Sequence, residues 1–483
     1  MLLKDILYKV SLEAVAGSTD LEIHTITFDS RKVVPGSLFV AIPGTQVDGH
    51  QFIPKAIELG ASAILCEHLP EELHENVTYI QSKDASRAMG FAAANFYGQP
   101  STKLKLIGVT GTNGKTTTVT LLFRLFRALG HRCGLISTVQ NQVEDEVIPS
   151  THTTPDSLTL NALLAEMLSK GCTHVFMEVS SHAVVQERIA GVQFAGGIFT
   201  NITHDHLDFH KTFDSYIKAK KGFFDQLPKT AFALVNADDP RGRIMVQNTV
   251  ARRETFSLET GASFKGKILS DSIYGLEMEV DQKQVHFQLI GNFNAYNILG
   301  VYGTAILLGE DPEETLTQLS AIHPPAGRFE QVVSPDHIVG IVDYSHTPDA
   351  LKNVLETIVE LREGNEQIIT VVGCGGNRDA TKRPEMARIA CQFSDQVILT
   401  SDNPRNEEPE AILEDMKKGI PSDTSAEVTI LVDRKEAIAK AVAMAKPKDV
   451  ILVAGKGHET YQEIKGVKNH FDDREVLREL FQK

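Results

Sequence analysis

The feature that most constrains the fold of this chain is a glycine-rich turn between two segments of regular structure. An apolar stretch, Leu104–Val109, is followed by Thr-Gly-Thr-Asn-Gly-Lys-Thr at positions 110–116. Beyond the turn, apolar side chains recur at helical spacing up to Gly130, where we predict that the helix ends. A strand, a tight turn and a helix in this order are typical of a parallel sheet with crossover helices. The pattern therefore predicts an α/β fold.

The same turn has the residue types of a triphosphate-binding loop. Its glycines would let successive backbone N–H groups face phosphate oxygens, next to the positive end of the following helix. Lys115 would reach the β- and γ-phosphates, and the Thr116 hydroxyl would bind Mg²⁺. Gly108 and Gly114 are one residue further apart than in the strict P-loop pattern, so an ordinary glycine-rich turn is the alternative. We predict ATP and Mg²⁺ as ligands, with ATP contacts from Thr110, Gly111, Thr112, Asn113, Gly114, Lys115, Thr116 and Thr117.

Two turn-rich segments divide the 483 residues, which are enough for several domains. They are Phe96–Ser101 and His323–Gly327. We therefore expect domains at residues 1–100, 101–326 and 327–483. The last domain contains strand candidates at 368–372, 396–400 and 450–454. Each ends in a polar or glycine-rich turn, which is where ligands gather in open α/β sheets.

Composition narrows the classes of partner. The formal net charge of -15 argues against nucleic-acid binding, which usually needs a basic surface. The five cysteines form no Cys-X-X-Cys pair, which favours a reducing compartment, and we expect a cytoplasmic protein. No apolar run is long enough to span a bilayer, so we expect no membrane insertion. At the N-terminus, Leu2–Val10 is predicted to form an amphipathic helix without features of a secretion leader.

Two further segments carry side chains that could bind metal. A predicted strand, Thr173–Val179, places Glu178 at its end, beside the position where a second magnesium ligand is needed. The run 201–210 is rich in histidine and aspartate. His204, His206, Asp208 and His210 would suit a zinc hydrolase, although Phe209 separates the Asp and His that such enzymes place side by side. We keep a metallohydrolase as the alternative.

Ordered motifs along the whole chain resemble those of the Mur ligases of peptidoglycan synthesis. The matching segments are Asp29–Arg31, Asp48–His50, the turn at 110–116, Glu178–His182, Asp205–Asp208, Gly291–Asn297, Gly327–Glu330, Asp343–Pro348, Asp402–Arg405 and Gly455–Glu459. The resemblance implies a UDP-sugar-binding N-terminal domain, a central ATP-binding domain with a P-loop-type parallel sheet, and a Rossmann-like C-terminal domain that binds an amino acid. It also implies a cytoplasmic enzyme, expected to be a monomer, that supports cell-wall biogenesis, cell shape and division.

Within this family the chain is most similar to the ligases that add the third amino acid to UDP-N-acetylmuramoyl-L-alanyl-D-glutamate. In these enzymes ATP phosphorylates a substrate carboxylate, and the incoming amine attacks the acyl phosphate. Phosphoryl transfer needs positioning and charge neutralisation from the protein, so no nucleophilic side chain is required. The absence of an evident Ser-His-Asp or Cys-His arrangement agrees with this chemistry.

The resemblance assigns roles to individual residues. Lys115, Lys220 and His206 are implied to be catalytic, and the metal ligands are Thr116, Glu178, His206 and Lys220. Further nucleotide contacts are Asn297, Arg328, Asp343 and His346. Contacts to UDP-sugar are Ser30, Thr45, Gln46 and Val47, and contacts to the peptide are His152, Thr153, Thr154, Ser180, Gln186 and Arg188. Contacts to the incoming amino acid are Arg383, Asp402, Asn403, Pro404, Arg405, Gly455 and Glu459.

Lys220 is implied to be carbamylated by carbon dioxide, which converts a cation into an anion that can bind Mg²⁺. Carbamylation requires the neutral amine, so burial or nearby positive charge must lower the pKa of Lys220. From the residues alone, Lys218, Lys220 and Lys221 read as one solvated helix face.

The identity of the added amino acid depends on Arg405. In the family, the Arg form of the Asp402–Arg405 motif accompanies meso-diaminopimelate, and lysine-adding relatives lack this Arg. A buried Arg without its anion costs about 3–5 kcal/mol, enough for a strong preference. The alternatives are a lysine-adding ligase, a paralogue with another substrate because of His152, His204 and Asn377, and a non-catalytic nucleotide-sugar-binding paralogue. The glycine-rich run Gly373–Arg378 lacks the last glycine of a dinucleotide fingerprint, so we do not predict NAD.

Overall fold

The structure is a computed structural model that describes residues 1–44, 47–150, 152–203, 207–362 and 364–482, without the side chains of 207 and 208. The chain divides into two compact units. Unit 1 comprises Met1–Lys265 and Leu299–Gln318, and unit 2 comprises Gly266–Ile298 and Leu319–Lys483. Among the helices of the described residues, none combines the length and apolar character needed to cross a membrane.

The N-terminal part of unit 1 is a small sheet with helices. Its elements are α1 (Leu3–Ile6), β1 (Ala14–Ala16), β2 (Thr25–Thr27), β3 (Ser37–Val40), α2 (Ile53–Glu58), β4 (Ala61–Cys66), β5 (Thr78–Gln81) and α3 (Ala85–Phe96). The strand order is β1-β5-β4-β3-β2, and only β1 runs antiparallel to its neighbour. The helix predicted at Leu2–Val10 is shorter than expected, since Lys9 adopts a left-handed conformation (φ 60°) incompatible with a continuing helix.

The rest of unit 1 is built on a mainly parallel sheet. Its elements are β6 (Lys105–Thr110), α4 (Lys115–Ala128), β7 (Cys133–Ile136), β8 (Gln140–Val143), β9 (Glu146–Pro149), α5 (Ser157–Ser169), β10 (His174–Glu178), α6 (Ser181–Val185), β11 (Gly196–Phe199), α7 (Leu207–His210), α8 (Phe213–Asp225), β12 (Phe232–Asn236), α9 (Gly242–Met245) and β13 (Arg252–Ser257). Strands β7, β10, β6, β11, β12 and β13 are adjacent in that order and parallel. The predicted strand, glycine turn and helix are confirmed.

Burial on both faces explains why most residues of the central parallel strands are apolar. Strands β7, β10, β11 and β12 are buried at every residue, and helices cover them as crossover connections require. The parallel arrangement also places the last residues of β6 and β10, Thr110 and Glu178, at the same edge of the sheet. This edge carries the glycine-rich turn.

Strand β14 (Phe264–Ser272) begins at the end of the first segment of unit 1 and continues into unit 2. The later elements are β15 (Gly275–Val280), β16 (Lys283–Phe287), α10 (Asn292–Leu308), α11 (Pro312–Ser320), β17 (Glu330–Val333), β18 (Val339–Asp343), α12 (Pro348–Leu361), β19 (Ile368–Cys374), α13 (Lys382–Phe393), β20 (Gln396–Ser401), α14 (Pro409–Lys417), β21 (Glu427–Leu431), α15 (Arg434–Met444), β22 (Val450–Ala454), β23 (Tyr461–Ile464), β24 (Val467–His470) and α16 (Asp473–Phe481).

Unit 2 contains a six-stranded sheet in the order β17-β18-β22-β19-β20-β21, parallel except for the edge strand β17. Two separate apolar cores, one including Leu351 and Met386 and the other Ile438 and Leu477, flank this sheet. The three strands predicted from sequence in this part of the chain are therefore confirmed as β19, β20 and β22. All five cysteines are free and buried.

Candidate functional site

The glycine-rich turn of unit 1 connects the end of β6 to the start of α4. Gly114 precedes the helix with φ 85°, a left-handed conformation that favours glycine. At Gly111 there is no room for a side chain, because a Cβ atom would lie 1.9 Å from the Thr200 hydroxyl. Helix α4 begins at Lys115, so the backbone N–H groups of its first turn point out of the N-terminal end. This geometry suits an anionic ligand such as a phosphate.

Residues at the end of β11 hold the turn in place. The backbone N–H groups of Thr112 and Asn113 donate to the carbonyl oxygen (2.8 Å) and side-chain oxygen (2.9 Å) of Asn201. The Thr200 hydroxyl donates to the Asn113 carbonyl oxygen at 2.6 Å. Our sequence reasoning missed Thr200 and Asn201 as supports of the turn. The only available signal was a polar pair directly after a fully apolar strand.

Two lysine side chains converge on one backbone oxygen of the turn. Lys115 Nζ and Lys220 Nζ donate to the Gly111 carbonyl oxygen at 2.9 and 2.7 Å. Lys220 lies on α8 and is only 1% exposed, and its Nζ is 4.6 Å from the centroid of the Tyr216 ring. The alternative of one solvated lysine face is therefore wrong for Lys220, whereas Lys218 is exposed as that alternative requires.

Glu178 is fully buried beside the turn. Its Oε1 accepts hydrogen bonds from the Thr116 hydroxyl (2.9 Å) and from the backbone N–H of Thr138 (2.8 Å). Its Oε2 is buried and has no hydrogen-bond partner among the described residues. A buried carboxylate oxygen without a donor is costly, and a hydroxyl next to a carboxylate is an oxygen donor set that Mg²⁺ prefers. Thr116 and Glu178 therefore fit the magnesium ion that the family implies.

Some predicted site residues cannot be placed. Thr45, Gln46, His204 and His206 lie outside the described residues, as does Thr151 beside the predicted peptide site. Within the predicted zinc cluster, the side chain of Asp208 is also outside the description, and His210 Nε2 lies 2.8 Å from the Ser181 hydroxyl.

The predicted peptide contacts form a connected group in unit 1. Arg188 donates from Nη1 to the Thr154 carbonyl oxygen (2.7 Å) and from Nε and Nη2 to Gln186 Oε1 (3.0 and 2.6 Å). The Thr154 hydroxyl donates to the Glu178 carbonyl oxygen and lies 3.4 Å from the Ser180 hydroxyl. Burial lowers the pKa of Arg188 from its ordinary value. The two remaining predicted contacts are the exposed His152 and Thr153, whose hydroxyl accepts from Thr138.

The predicted sugar-nucleotide contacts that can be placed lie at one edge of the N-terminal sheet. Ser30 follows β2 and Val47 follows β3, and these strands are parallel neighbours. Val47 is 52% exposed and therefore available to a ligand. Nearby, Asp48 accepts from the backbone N–H of His50, and the Nε2 atom of His50 accepts from the backbone N–H of Glu67. These bonds fix the end of the loop that contains Val47.

In unit 2, the predicted nucleotide residues lie near the end of β18. Arg328 lies over the Tyr344 ring, with 4.7 Å between its guanidinium carbon and the ring centroid. Asp343 accepts from the backbone N–H of Phe329 at 2.7 Å, and burial raises the pKa of this carboxyl group. His346 Nδ1 lies 2.9 Å from the Tyr344 carbonyl oxygen. Asn297 lies earlier in the chain, on α10, where its side chain donates to Asn294 Oδ1.

The loop after β20 presents the predicted amino-acid contacts. Arg405 donates from Nη1 to the Gly376 carbonyl oxygen at 2.8 Å, and its Nε lies 3.8 Å from Glu463 Oε2. Its Nη2 has no hydrogen-bond partner within the described part of the chain. Arg405 has φ 52°, a strained backbone conformation for a residue with a side chain. The guanidinium thus keeps one nitrogen for a further acceptor.

Asn403 connects this loop to the segment after β22. It donates to Glu459 Oε2 at 2.7 Å and accepts from Lys456 Nζ at 3.2 Å. Burial, followed by the nearby Asp402 carboxylate, raises the pKa of Glu459. Lys456 is fully buried and was missed by our sequence reasoning, although its position between two glycines at a strand end was a usable signal.

Arg383 has protein partners in this structure. Its guanidinium donates to both oxygens of Glu407 (2.9 and 2.8 Å) and to Asp415 (3.0 Å), and the residue is 3% exposed. Arg383 therefore anchors the loop after β20 to α14 and α13. Any contact with a ligand would have to be made beside these carboxylates.

The glycine-rich run after β19 serves close packing. A Cβ atom at Gly376 would lie 1.9 Å from the Pro404 carbonyl oxygen, and one at Gly375 would lie 2.9 Å from Arg405 Nη1. These glycines let the loop after β20 pack closely against the backbone of residues 375 and 376. This close packing explains the glycines without dinucleotide binding.

Comparisons with known proteins agree along the whole chain. Sequence models of three domain families match it: Mur ligase middle domain at residues 109–305, Mur ligase, glutamate ligase domain at 327–457, and Mur ligase family, catalytic domain at 22–97. A Cytophaga hutchinsonii protein named UDP-N-acetylmuramoyl-L-alanyl-D-glutamate--2,6-diaminopimelate ligase is 64% identical over 481 residues, 99% of each chain. A Phocaeicola vulgatus protein of the same name is 55% identical over 481 residues, covering 100% of this chain and 99% of that protein. A solved structure of a ligase with this name has a TM-score of 0.72 and 32% identity, covering 100% of this chain and 99% of the other.

Proposed function

This chain belongs to the Mur ligase family, and from that premise we propose that it joins meso-diaminopimelate to the D-glutamate of UDP-N-acetylmuramoyl-L-alanyl-D-glutamate, at the expense of ATP. It is an amide-bond-forming ligase of peptidoglycan precursor synthesis. The observation that carries the proposal is the full-length sequence identity of 64% and 55% to two proteins that are named as ligases for this reaction. The domain division 1–100, 101–326 and 327–483, action in the cytoplasm and a monomeric state belong to the same proposal.

The residues around the glycine-rich turn support transfer of the γ-phosphoryl group of ATP to the D-glutamate γ-carboxylate. Backbone N–H groups at the start of α4 and the Lys115 ammonium would hold the phosphates and neutralise their charge. Mg²⁺, held by Thr116, Glu178 and His206, would neutralise charge on the phosphate oxygens when bound. The group around Arg188 and Thr154 is placed to orient the peptide whose carboxylate accepts the phosphoryl group.

Carbamylation of Lys220 is part of the proposal. Lys220 and Lys115 donate to the same carbonyl oxygen, so two ammonium groups repel each other at close range. Conversion of the Lys220 amine to a carbamate would replace this repulsion by attraction to Lys115. The carbamate would lie near the Mg²⁺ ion that we propose at Thr116 and Glu178, and it would offer this ion a further oxygen ligand.

Unit 2 supplies the features that would select diaminopimelate over lysine. The second carboxylate of diaminopimelate would pair with Arg405, whose Nη2 is not used by the described residues. Asp402 and Glu459 provide acceptors for an ammonium group at the same edge of the sheet. The amine then attacks the acyl phosphate carbon, an amide forms, and inorganic phosphate leaves.

The test is a phosphate-release assay with ATP, Mg²⁺ and the UDP-linked dipeptide, comparing meso-diaminopimelate, L-lysine and no amine. We expect release that depends on diaminopimelate, and a product with the mass of the tripeptide. Lysine-dependent release would show the lysine-adding alternative, and no release with any amine would favour the non-catalytic paralogue.

The same assay on Arg405→Ala tests the specificity residue. Loss of the Arg–carboxylate pair should lower kcat/KM for diaminopimelate about 100-fold, with little effect on turnover of lysine. Arg378→Ala is the matched control, because Arg378 is an exposed arginine of the neighbouring loop. An Arg405→Ala enzyme that keeps the full preference for diaminopimelate would contradict the role of Arg405.

A further inference from the structure

Three metal-capable side chains meet in unit 1, away from the residues that the proposed function uses. His131 follows α4, His174 is the first residue of β10, and Glu310 follows α10. One ligand atom from each of the three side chains lies within 4.8 Å of the others. His131 Nε2 and Glu310 Oε1 are 2.9 Å apart, and the two imidazole centroids are 4.4 Å apart. Three segments that are distant in sequence therefore contribute to one small cluster.

One atom of this cluster is buried without a hydrogen bond. His174 is 2% exposed, and its Nε2 has no hydrogen-bond partner among the described residues. The other ring nitrogen, Nδ1, lies 2.9 Å from the Thr173 hydroxyl. If Nδ1 donates its proton to this hydroxyl, Nε2 keeps a lone pair that only a donor or a metal ion can use. Metal-bound histidines commonly have such a partner on the second ring nitrogen.

The hydrogen bond between His131 and Glu310 does not by itself explain the cluster. It joins one atom of each of those two side chains and leaves the buried Nε2 of His174 without a partner among the described residues. A metal ion would use all three side chains at once. The ring of Phe126 packs against both imidazoles, with centroid distances of 5.5 Å to His131 and 4.8 Å to His174. This apolar surface would restrict water around the bound ion and orient both rings.

The donor types indicate which metal the cluster would take. Two imidazoles and one carboxylate are a set that binds zinc, with Zn–N distances of about 2.0–2.1 Å and a water molecule in the fourth position. Tetrahedral coordination requires ligand atoms about 3.4 Å apart. His131 Nε2 and Glu310 Oε1 are closer than this, at 2.9 Å, so the part-exposed Glu310 side chain would have to move away by about 0.5 Å when the ion binds. Mg²⁺ prefers oxygen ligands and would not compete well here.

We propose that His131, His174 and Glu310 form a zinc-binding site that fastens the ends of α4 and α10 to the start of β10. The site is distinct from the proposed catalytic site, because His174 and Glu178 lie at opposite ends of β10. Four residue steps of about 3.3 Å separate them, so they are about 13 Å apart along the strand. Bound zinc stabilises unit 1 and does not take part in the ligase reaction.

The experiment uses the full-length protein after removal of metals with a chelator and dialysis. Zn²⁺ is titrated by calorimetry, and Co²⁺ is added as a spectroscopic probe of nitrogen and oxygen ligands. We expect one tightly bound Zn²⁺ that depends on this cluster, and a higher Tm in its presence, because a ligand that binds only the folded state stabilises it. Loss of a residue that only hydrogen-bonds to a metal ligand weakens metal binding roughly 10–100-fold. Glu310→Gln and His131→Gln remove a ligand itself, so each should weaken Zn²⁺ binding by more than this.

Glu314→Gln is the matched control, since Glu314 is exposed on α11 and its Oε1 accepts from the half-buried Gln318. The Glu310→Gln variant, which keeps a hydrogen-bonding group of nearly the same shape, should match the wild-type Tm in chelator, and this separates metal binding from folding. Zn²⁺ binding that is equal in wild-type and Glu310→Gln proteins would overturn the proposal, because the ion would then lie elsewhere, for example at the histidines of 204–210. Absence of tight Zn²⁺ binding to the wild-type protein would overturn it as well.

Discussion

Lys220 illustrates how burial changes what a common surface residue can do. On α8 it is flanked by the exposed Lys218 and by Lys221, which pairs with Asp225 at 2.7 Å. Only Lys220 turns inward, where its Nζ reaches the Gly111 carbonyl oxygen of the glycine-rich turn. The local sequence does not distinguish the three lysines. Their difference arises from the rotation of the helix against the sheet, which the apolar Tyr216, Phe223 and Phe224 set.

We expect Lys220→Ala to lower ligase turnover about 100-fold or more, because the variant would lack the anion that completes the proposed metal site. Added short-chain carboxylates such as acetate or propionate should restore part of the activity by occupying the space of the carbamate. Lys218→Ala is the control and should retain wild-type turnover, with or without carboxylate. Unchanged activity in Lys220→Ala would refute carbamylation as a requirement.

At the scale of elements, one buried ion pair fastens the two strand ends that carry the proposed amino-acid site. Arg434, at the start of α15, donates from Nε and Nη2 to the Asp473 carboxylate at 2.8 Å each, and both side chains are fully buried. The Arg434 guanidinium also donates to the carbonyl oxygens of Ala454 (3.0 Å) and Ser401 (3.5 Å). These residues end β22 and β20, so the pair fixes the bases of both loops that carry the proposed amino-acid site.

Arg434→Met should destabilise the protein by about 3–5 kcal/mol, because it leaves the Asp473 carboxylate buried without a partner. The double variant Arg434→Met/Asp473→Leu should recover much of this loss, since the unpaired charge is then gone. Urea unfolding measures both values. Arg388→Met, on the exposed face of α13, is the control and should change the free energy of unfolding by less than about 0.5 kcal/mol. Equal stability of Arg434→Met and the control would contradict a structural role for the pair.

The sequence was sufficient to predict elements but insufficient for the contacts between distant ones. Strands such as β22 follow from apolar runs bounded by turn residues, and the glycine turn before α4 follows from local backbone needs. The pair of Arg434 and Asp473 could not be predicted, because the two residues are 39 positions apart and nothing local marks either as buried. Glu310 near His131 is a comparable case, with 179 positions between them. Such contacts depend on how the helices pack against each other, and the pattern of apolar and polar residues in the sequence does not predict that packing.

At the scale of the whole molecule, a buried imidazole makes the free energy of unfolding decrease in acid. Burial, followed by the charge of Arg328, lowers the pKa of His458 in unit 2 to about 3. In the unfolded chain the same group binds a proton near its ordinary pKa of about 6.5. Below that pH the unfolded state binds more protons than the folded state, so the stability contributed by neutral His458 is lost as pH falls toward 3.

The free energy of unfolding should therefore fall by about 1.4 kcal/mol per pH unit from this group alone, below about pH 6.5. Urea unfolding at several pH values between about 7 and about 5 tests this slope. In His458→Gln the free energy of unfolding should depend less steeply on pH. His286→Gln is the control, because His286 is exposed on β16 and should leave the slope unchanged. A slope that is identical in wild type and His458→Gln would rule out His458 as the source.

The left-handed backbone of Arg405 has a consequence for how this chain can evolve. A residue with a side chain is strained at φ 52°, whereas glycine or asparagine adopts this conformation easily. Replacement of Arg405 by glycine would relieve backbone strain of about 1 kcal/mol or more. The same replacement would remove the guanidinium. The backbone strain at Arg405 is therefore opposed by the hydrogen bond from its guanidinium to Gly376 and by selection for the proposed substrate contact. A lineage that stopped using a dicarboxylic amine would lose one of the two reasons to keep this arginine, and the backbone strain would then favour its replacement.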